Sequence, residues 1–557
     1  MERSFGERAT TGFAWNYFYK ITEFGLINCY TILVVRHFGP EISAPYAVFT
    51  ALCTTLAMVA AFAVDGVLLR YIQRISHNDP SAGFEISGFT GLRDFLKTLF
   101  AFRMLIVFVV ALLIVAGIYL FPLVFPSVSI ETIGPLQRFI PYLIIFLFAQ
   151  SITAFCTFSL IGLLENKRTF LASFISRGLL VAGGFVLLLQ GTLSLHGAII
   201  LYVGSAVINA LVLMYALRKE VDNHAPSDGK GSLSFSGFLK KIWEMVSRPK
   251  QMKLFLATPI MLYGITTWGS DMLSAVLGRQ PDIIMMRAML GESPQISYYL
   301  SASIVILVTE YIFLFGFGGT LVSIFSKLAH EDEQEHHRSQ YPRLARAREE
   351  IAGFQNVVLI PLCAYMMVFT PQVIHSVYGS KYDEAIPMIR IGLVALSLAV
   401  GMFGGGMQIT SLVAIGKERL VFRNRLFWGI TNVTANIFLI RAFGGLGAVI
   451  GTHFSNAFAC GSESYFARKH IGNFAVNSIS TIRILLIAGV STLASYALMG
   501  WIGSDESPII ATAISLLVSA SLTALLYYVF KVQEAKKVLM RIQMLFRQTN
   551  VVTLGND

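Results

Sequence analysis

Fourteen apolar runs, each about 20 residues long, follow one another almost end to end along this 557-residue chain. A run of that length crosses the ~30 Å hydrocarbon core of a bilayer as one helix. The runs fall near residues 12–36, 43–69, 99–122, 138–163, 170–190, 195–217, 253–278, 296–326, 351–373, 386–414, 421–441, 444–466, 481–502 and 508–531. They are continuous rather than alternating, and lipid admits only helices or closed barrels, since no water is there to satisfy a bare backbone. The chain is therefore expected to be an all-α polytopic membrane protein with about 14 transmembrane helices. Only 13% of its residues are charged, about half the share usual in a soluble protein.

Lysine and arginine set the expected orientation. With the N-terminus inside, the alternate loops and tails on the cytoplasmic side hold 35 of the 43 basic residues, and the outer side holds 7. The remaining one, Lys20, lies within the first span. That bias predicts an even number of spans, both termini in the cytoplasm, and residence in the cytoplasmic membrane. It also accounts for the net charge of +11 without any nucleic-acid partner. The five cysteines, Cys29, Cys53, Cys156, Cys363 and Cys460, lie scattered in apolar runs, with no metal-ligand spacing among them. The run "HEDEQEHHRSQ" at 330–340, with His330, His336 and His337, reads as a solvated charge run, and no metal site is expected.

Residues 218–252 form the longest break near the middle. A Gly/Ser-rich stretch there precedes "FLKKIWEMV", which puts Phe238, Leu239, Ile242, Trp243 and Val246 opposite Lys240 and Lys241, as an interfacial helix would. The tail from 532 to 557 is basic and amphipathic, suited to acidic lipid headgroups. A weak internal echo adds to this plan. A shift of 252 residues lays Gly39 on Gly291 and Tyr46 on Tyr298, and a shift of 250 lays Lys167 on Lys417. The expected organisation is an N-lobe of six spans (1–217), a linker (218–252) and a C-lobe of six spans repeating the first in parallel (253–470). Spans 13 and 14 (471–531) and the cytoplasmic tail (532–557) then follow.

Charges inside spans are costly, about 2.5–3.5 kcal/mol at the bilayer centre on insertion scales, and normally face the interior or a wet path. Asn16, Lys20 and Glu23 stand at i, i+4 and i+7, one polar stripe on the first span. Asp271 falls opposite Tyr19 and Lys20 in the repeat, on the seventh span. Asp282, Arg279 and Arg287 gather around Pro281, which is expected to kink or end that span. Glu310 lies in the middle of the eighth span, and Asp65 near the inner end of the second. Two readings are open. Lys20 and Glu23 pair along their own helix as structural glue, or they line a central cavity with Asn16, Asp271, Asp282, Arg287 and Glu310. Gly404, Gly405 and Gly406 in the tenth span permit close packing or bending, with close packing the commoner reason.

Three stretches resemble the polysaccharide-transport flippases of the multidrug/oligosaccharidyl-lipid/polysaccharide exporter superfamily. They are "VYGSKYDEAIPMIRIGLVAL" at 377–396, "DIIMMRAMLGESPQISYYLSAS" at 282–303 and "AVDGVLLRYI" at 63–72. That superfamily also includes the multidrug and toxin extruders and the lipid II flippases. The resemblance implies a transporter rather than an enzyme. It would move a polyprenyl-diphosphate oligosaccharide across the cytoplasmic membrane by alternating access, for polysaccharide biosynthesis. Polysaccharide-assembly proteins would be its neighbours, and a proton or sodium ion its one small partner, with no cofactor. The cytoplasmic segments contain no GxxxxGK[ST] phosphate loop that would make it a nucleotide-driven pump. Two alternatives remain. A cation antiporter of the same fold calls for a more acidic cavity. A glycan polymerase or ligase calls for a larger outer domain than "LVFPSVSIETIGPLQ" at 123–137 supplies.

Overall fold

The computed structural model describes residues 5–76, 91–124, 138–224, 243, 247, 255–256, 258–314, 317–336, 341–472, 478–502 and 508–536. All of the secondary structure among them is helical. Ten helical runs are long and apolar enough to cross a membrane. The run Phe5–Ala60 breaks at Gly39 into α1 (5–38) and α2 (40–60). The run Glu418–Ile471 breaks at Gly444 into α15 (418–443) and α16 (445–471). Between them come α3 (Val64–Ser76), α4 (Leu92–Val124), α5 (Ile140–Gly162), α6 (Asn166–Leu189), α7 (Leu195–His224), α8 (Pro259–Val276) and α9 (Arg279–Leu290). Then follow α10 (Gln295–Leu314), α11 (Phe317–His336), α12 (Pro342–Val377), α13 (Ala385–Leu396) and α14 (Met407–Ala414), with α17 (Ser478–Ile502) and α18 (Pro508–Val529) at the end. Counting α2–α3, α8–α9, α10–α11 and α13–α14 as one crossing each accords with about fourteen spans.

The breaks carry the repeat. Gly39 has φ 75° and Gly291 φ 68°, 252 residues later. Leu164 has φ 63° and Gly416 φ 72°, again 252 residues apart, and Gly191 (φ 66°) precedes Gly444 (φ 58°) by 253. Helices restart in step as well, α6 at Asn166 and α15 at 418. The second echo of the sequence is thus two residues out of register: Glu165, not Lys167, corresponds to Lys417. Backbone geometry fixes the equivalence here better than side-chain identity, because a left-handed turn is needed at each break.

The contacts group the chain into two compact units, Met1–Ile296 and Ser297–Asp557. In the first, α6 packs along α1, α5 and α6 against α7, α8 against α3, and α9 against the 5–60 run. Tyr30, Tyr46, Phe49, Phe146 and Tyr202 form one core, and Val64, Leu68, Tyr71, Phe95, Phe155 and Met261 another. The α3–α8 crossing is close. A Cβ on Gly264 would meet the carbonyl oxygen of Ala63 at 2.4 Å, and one on Gly66 would meet Thr267 Oγ1 at 2.5 Å. So α8 and α9 group by contact with the first compact unit, which ends at Ile296. In the second unit α12 packs against α17 and α18, and α13 and α14 against the 418–471 run. Ser491 and Thr523 hydrogen-bond across α17 and α18 (2.8 Å), and Tyr365 on α12 meets Ser515 on α18 (2.9 Å).

Several expectations change. The seventh span breaks at Leu277–Gly278, ahead of Pro281, which lies in the first turn of α9, where its missing N–H costs nothing. Gly404 (φ 78°) and Gly405 (φ 54°) follow a π-helical stretch, Ser397–Met402, and bend the tenth span. In the acidic run His330, Gln334 and Glu335 are exposed, as a solvated run requires, but Asp332 is enclosed, and residues 337–340 lie outside the described residues. The enclosed carboxylate of Asp332 accepts the backbone N–H groups of Arg343 (3.1 Å) and Leu344 (3.1 Å) at the start of α12, while Arg343 pairs with Glu331 and Glu335. Among the described residues no three His, Cys, Asp or Glu side chains converge as metal ligands. Cys29 is exposed, while the other four cysteines are buried. The helix α7 runs on to His224, past the expected end at 217. The interfacial helix of 238–246 lies outside the described residues except for Trp243, which is exposed, and the tail lies outside them beyond 536.

Candidate functional site

The stripe on α1 has an open end and a closed end. At 100° per residue Lys20, Ile27, Thr31 and Val34 fall within about 60° of one another. Thr31 and Val34 are buried, Ile27 is half-buried, and Lys20 is exposed. Phe18, Cys29 and Arg36 are exposed on the opposite side of the helix. So Lys20 stands on the packed face of α1, at a level where that face opens. Its ammonium lies 5.4 Å from the Tyr19 ring, and among the described residues it has no ion-pair partner. Asn16, one turn earlier, is half-buried and its Oδ1 has no hydrogen-bond partner.

Glu23 does not pair with Lys20. Its Oε1 lies 3.5 Å from Nη2 of Arg177 on α6. Arg177 is only 2% exposed; its Nη1 donates to Ser205 Oγ on α7 (3.1 Å), and Ser205 donates in turn to the carbonyl of Ser176 (3.0 Å). The sequence reading missed Arg177 by assigning it to a cytoplasmic loop. The legible signal is the polar stripe Thr169, Ser173, Ser176 and Arg177, all buried, on a helix whose other residues after Arg168 are apolar or glycine.

A second charged group forms at the α3–α8 crossing. Arg103 on α4, fully buried, pairs with Asp65 on α3. Asp271 on α8 is exposed and lies within electrostatic range of Asp65. One turn before it, Trp268 donates its indole N–H to the carbonyl of Met58 (3.1 Å). Among the described residues no ion pair joins Asp271 to Lys20. In this first unit, therefore, Arg103 and Arg177 are buried and each paired with an acid, whereas Lys20 and Asp271 are exposed.

The other expected site residues stand elsewhere. Asp282 is fully enclosed at the start of α9, and Arg287 is nearly so and pairs with Glu292 across the turn at Gly291 (2.9 Å). Arg287 braces that turn, and both side chains are enclosed whereas Lys20 is exposed. Glu310 is half-buried on α10, in the second unit, near Cys363 and Cys460. That unit has a closed ion pair which the sequence did not single out. Glu463 on α16 receives Nε (2.6 Å) and Nη2 (2.8 Å) of Arg425 and Nδ2 of Asn424 (3.3 Å). Two of the three stretches that carry the resemblance also meet in that unit: Tyr298 and Tyr382 pack edge to face, 5.9 Å between centroids.

No family model matches the chain, and no curated protein matches it in sequence. Solved structures do match. The lipid II flippase MurJ, in an inward closed conformation, is 14% identical, with a TM-score of 0.59 over 94% of this chain and 99% of its own. A multidrug resistance MATE family transporter of the MOP superfamily, outward-facing, gives 16% identity and 0.51 over 82% of this chain and 94% of its own. A MOP superfamily transporter from Pyrococcus furiosus, whose binding pocket of reverse polarity suggests a different function, gives 15% and 0.50 over 82% and 95%. At these identities the likeness is one of fold.

Proposed function

We propose that this chain is a flippase that carries a polyprenyl-diphosphate oligosaccharide across the cytoplasmic membrane. The observation that carries this reading is Lys20, a lysine on the packed face of a membrane helix, exposed where that face opens and without an ion-pair partner among the described residues. Water at that level removes most of the insertion cost, and a compact ammonium suits a phosphate as a point charge. The fold shared with a lipid-linked-substrate flippase supports the same reading. Asp271 would accept sugar hydroxyls or hold the coupling proton or sodium ion. The positive bias of the alternate loops supports cytoplasmic termini, and with them an opening of the Lys20 face toward the cytoplasm. Acidic inner-leaflet lipids would meet the basic tail.

The test is chemical. A strain deleted for the protein should accumulate one lipid-linked glycan on the inner leaflet, identifiable by mass spectrometry of extracted lipids. Unchanged lipids together with new sensitivity to organic cations would replace the flippase by an antiporter.

A further inference from the structure

We propose that Glu23 is a built-in competitor for the substrate's diphosphate, and that Arg177 is the second cation that receives it. This rests on the flippase reading above. Arg177 has five N–H donors and sits in a site that uses them sparingly. Nη1 is spent on Ser205 and Nη2 reaches one oxygen of Glu23 at 3.5 Å, while the buried Nε–H meets no partner among the described residues. The Nε/Nη2 edge of a guanidinium is the edge that takes a carboxylate or phosphate through two parallel hydrogen bonds. The same fold fills that edge elsewhere: Arg425 gives Nε and Nη2 to the two oxygens of Glu463 at 2.6 and 2.8 Å. Around Arg177 the edge is only half used, by an acid whose side chain keeps 20% of its exposure.

Position completes the argument. Glu23 follows Lys20 by three residues, about one helical turn along α1, and its carboxylate meets the buried Arg177. A diphosphate arriving at Lys20 brings two anionic groups, and one ammonium neutralises only part of that charge. If the carboxylate of Glu23 leaves Arg177, the second phosphate gains the bidentate edge that the acid occupies poorly. When the carboxylate returns, it expels the phosphate. Ser205 holds the guanidinium in place through both states, anchored to the carbonyl of Ser176. An internal anion of this kind lets a carrier bind a highly charged headgroup and still release it.

The experiment uses the full-length protein in nanodiscs, with farnesyl diphosphate as the probe and calorimetry as the readout. Glu23→Gln should bind it about tenfold more tightly than wild type, equivalent to ~1.4 kcal/mol. Adding Arg177→Gln should abolish that gain, and Lys20→Ala should weaken binding while keeping the gain from Glu23→Gln. Melting temperatures near wild type confirm that each variant is folded, with Arg177→Lys, which keeps the charge but loses the bidentate edge, standing in if the glutamine does not fold. Wild-type binding that Lys20→Ala weakens but a folded Glu23→Gln leaves unchanged overturns the proposal alone. A gain that survives in the double variant also overturns it. No binding by wild type or any variant overturns the flippase reading and the proposal with it.

Discussion

Lys20 and Glu463 show how differently one charged residue can be accommodated in a membrane helix. Lys20 has an open face and no ionic partner among the described residues; Glu463 is sealed in with Arg425 and Asn424. Truncating a sealed partner strands its mate, so Glu463→Ala should cost about 3–5 kcal/mol and sharply reduce folded protein. Fluorescence-detected size exclusion of the membrane extract measures that, and near-normal yield would mean the pair is not closed. Lys20→Ala should instead leave folded yield near normal and abolish export, with Lys20→Arg retaining part of it. A poorly folded Lys20→Ala would make Lys20 structural. Lys20 and Glu23 were legible in the sequence because a charge in the middle of an apolar run has no innocuous explanation. Arg177 and Arg103 were not, because each follows a loop expected to be cytoplasmic closely enough to be counted with it. What separates them from loop residues is the partner across the helix pair, and sequence periodicity does not give partners.

At the scale of elements, the helices are read from hydrophobic length and the breaks from glycine. Gly39 combines φ 75° with ψ 174°, a region that is essentially confined to glycine. Gly39→Ala and Gly291→Ala should each cost about 1–3 kcal/mol, seen as a lower melting temperature of the purified protein. Gly25 is helical with nothing within 4 Å of an added Cβ, so Gly25→Ala should be neutral or stabilising by up to ~1 kcal/mol. Equal losses at all three positions would mean that the backbone at Gly39 and Gly291 is ordinary. The Gly39–Gly291 correspondence could be seen in the sequence because the same residue type serves both turns. Leu164 and Gly416 also share a left-handed conformation, yet leucine gives no such signal. Asp332 was not legible for a related reason: it stands in a run with the composition of a solvated face, and only the start of α12 shows what it caps.

For the whole molecule, the number of spans and the repeat were legible, because bilayer thickness and basic-residue bias act on every span. The compact-unit boundary after Ile296 was not, since it depends on α8 and α9 packing back onto α3 and α1. Cytoplasmic termini predict that Ser234→Cys and Ser339→Cys stay unlabelled when intact cells are treated with an impermeant thiol reagent, and react after permeabilisation. Labelling in intact cells would invert the topology. The most direct test of the account is transport itself. Proteoliposomes containing only this protein should move a fluorescent polyprenyl-diphosphate oligosaccharide between leaflets, read by loss of fluorescence to an impermeant quencher, and Lys20→Ala should stop the movement. Movement no faster than in protein-free liposomes, or equally fast with Lys20→Ala, would contradict it.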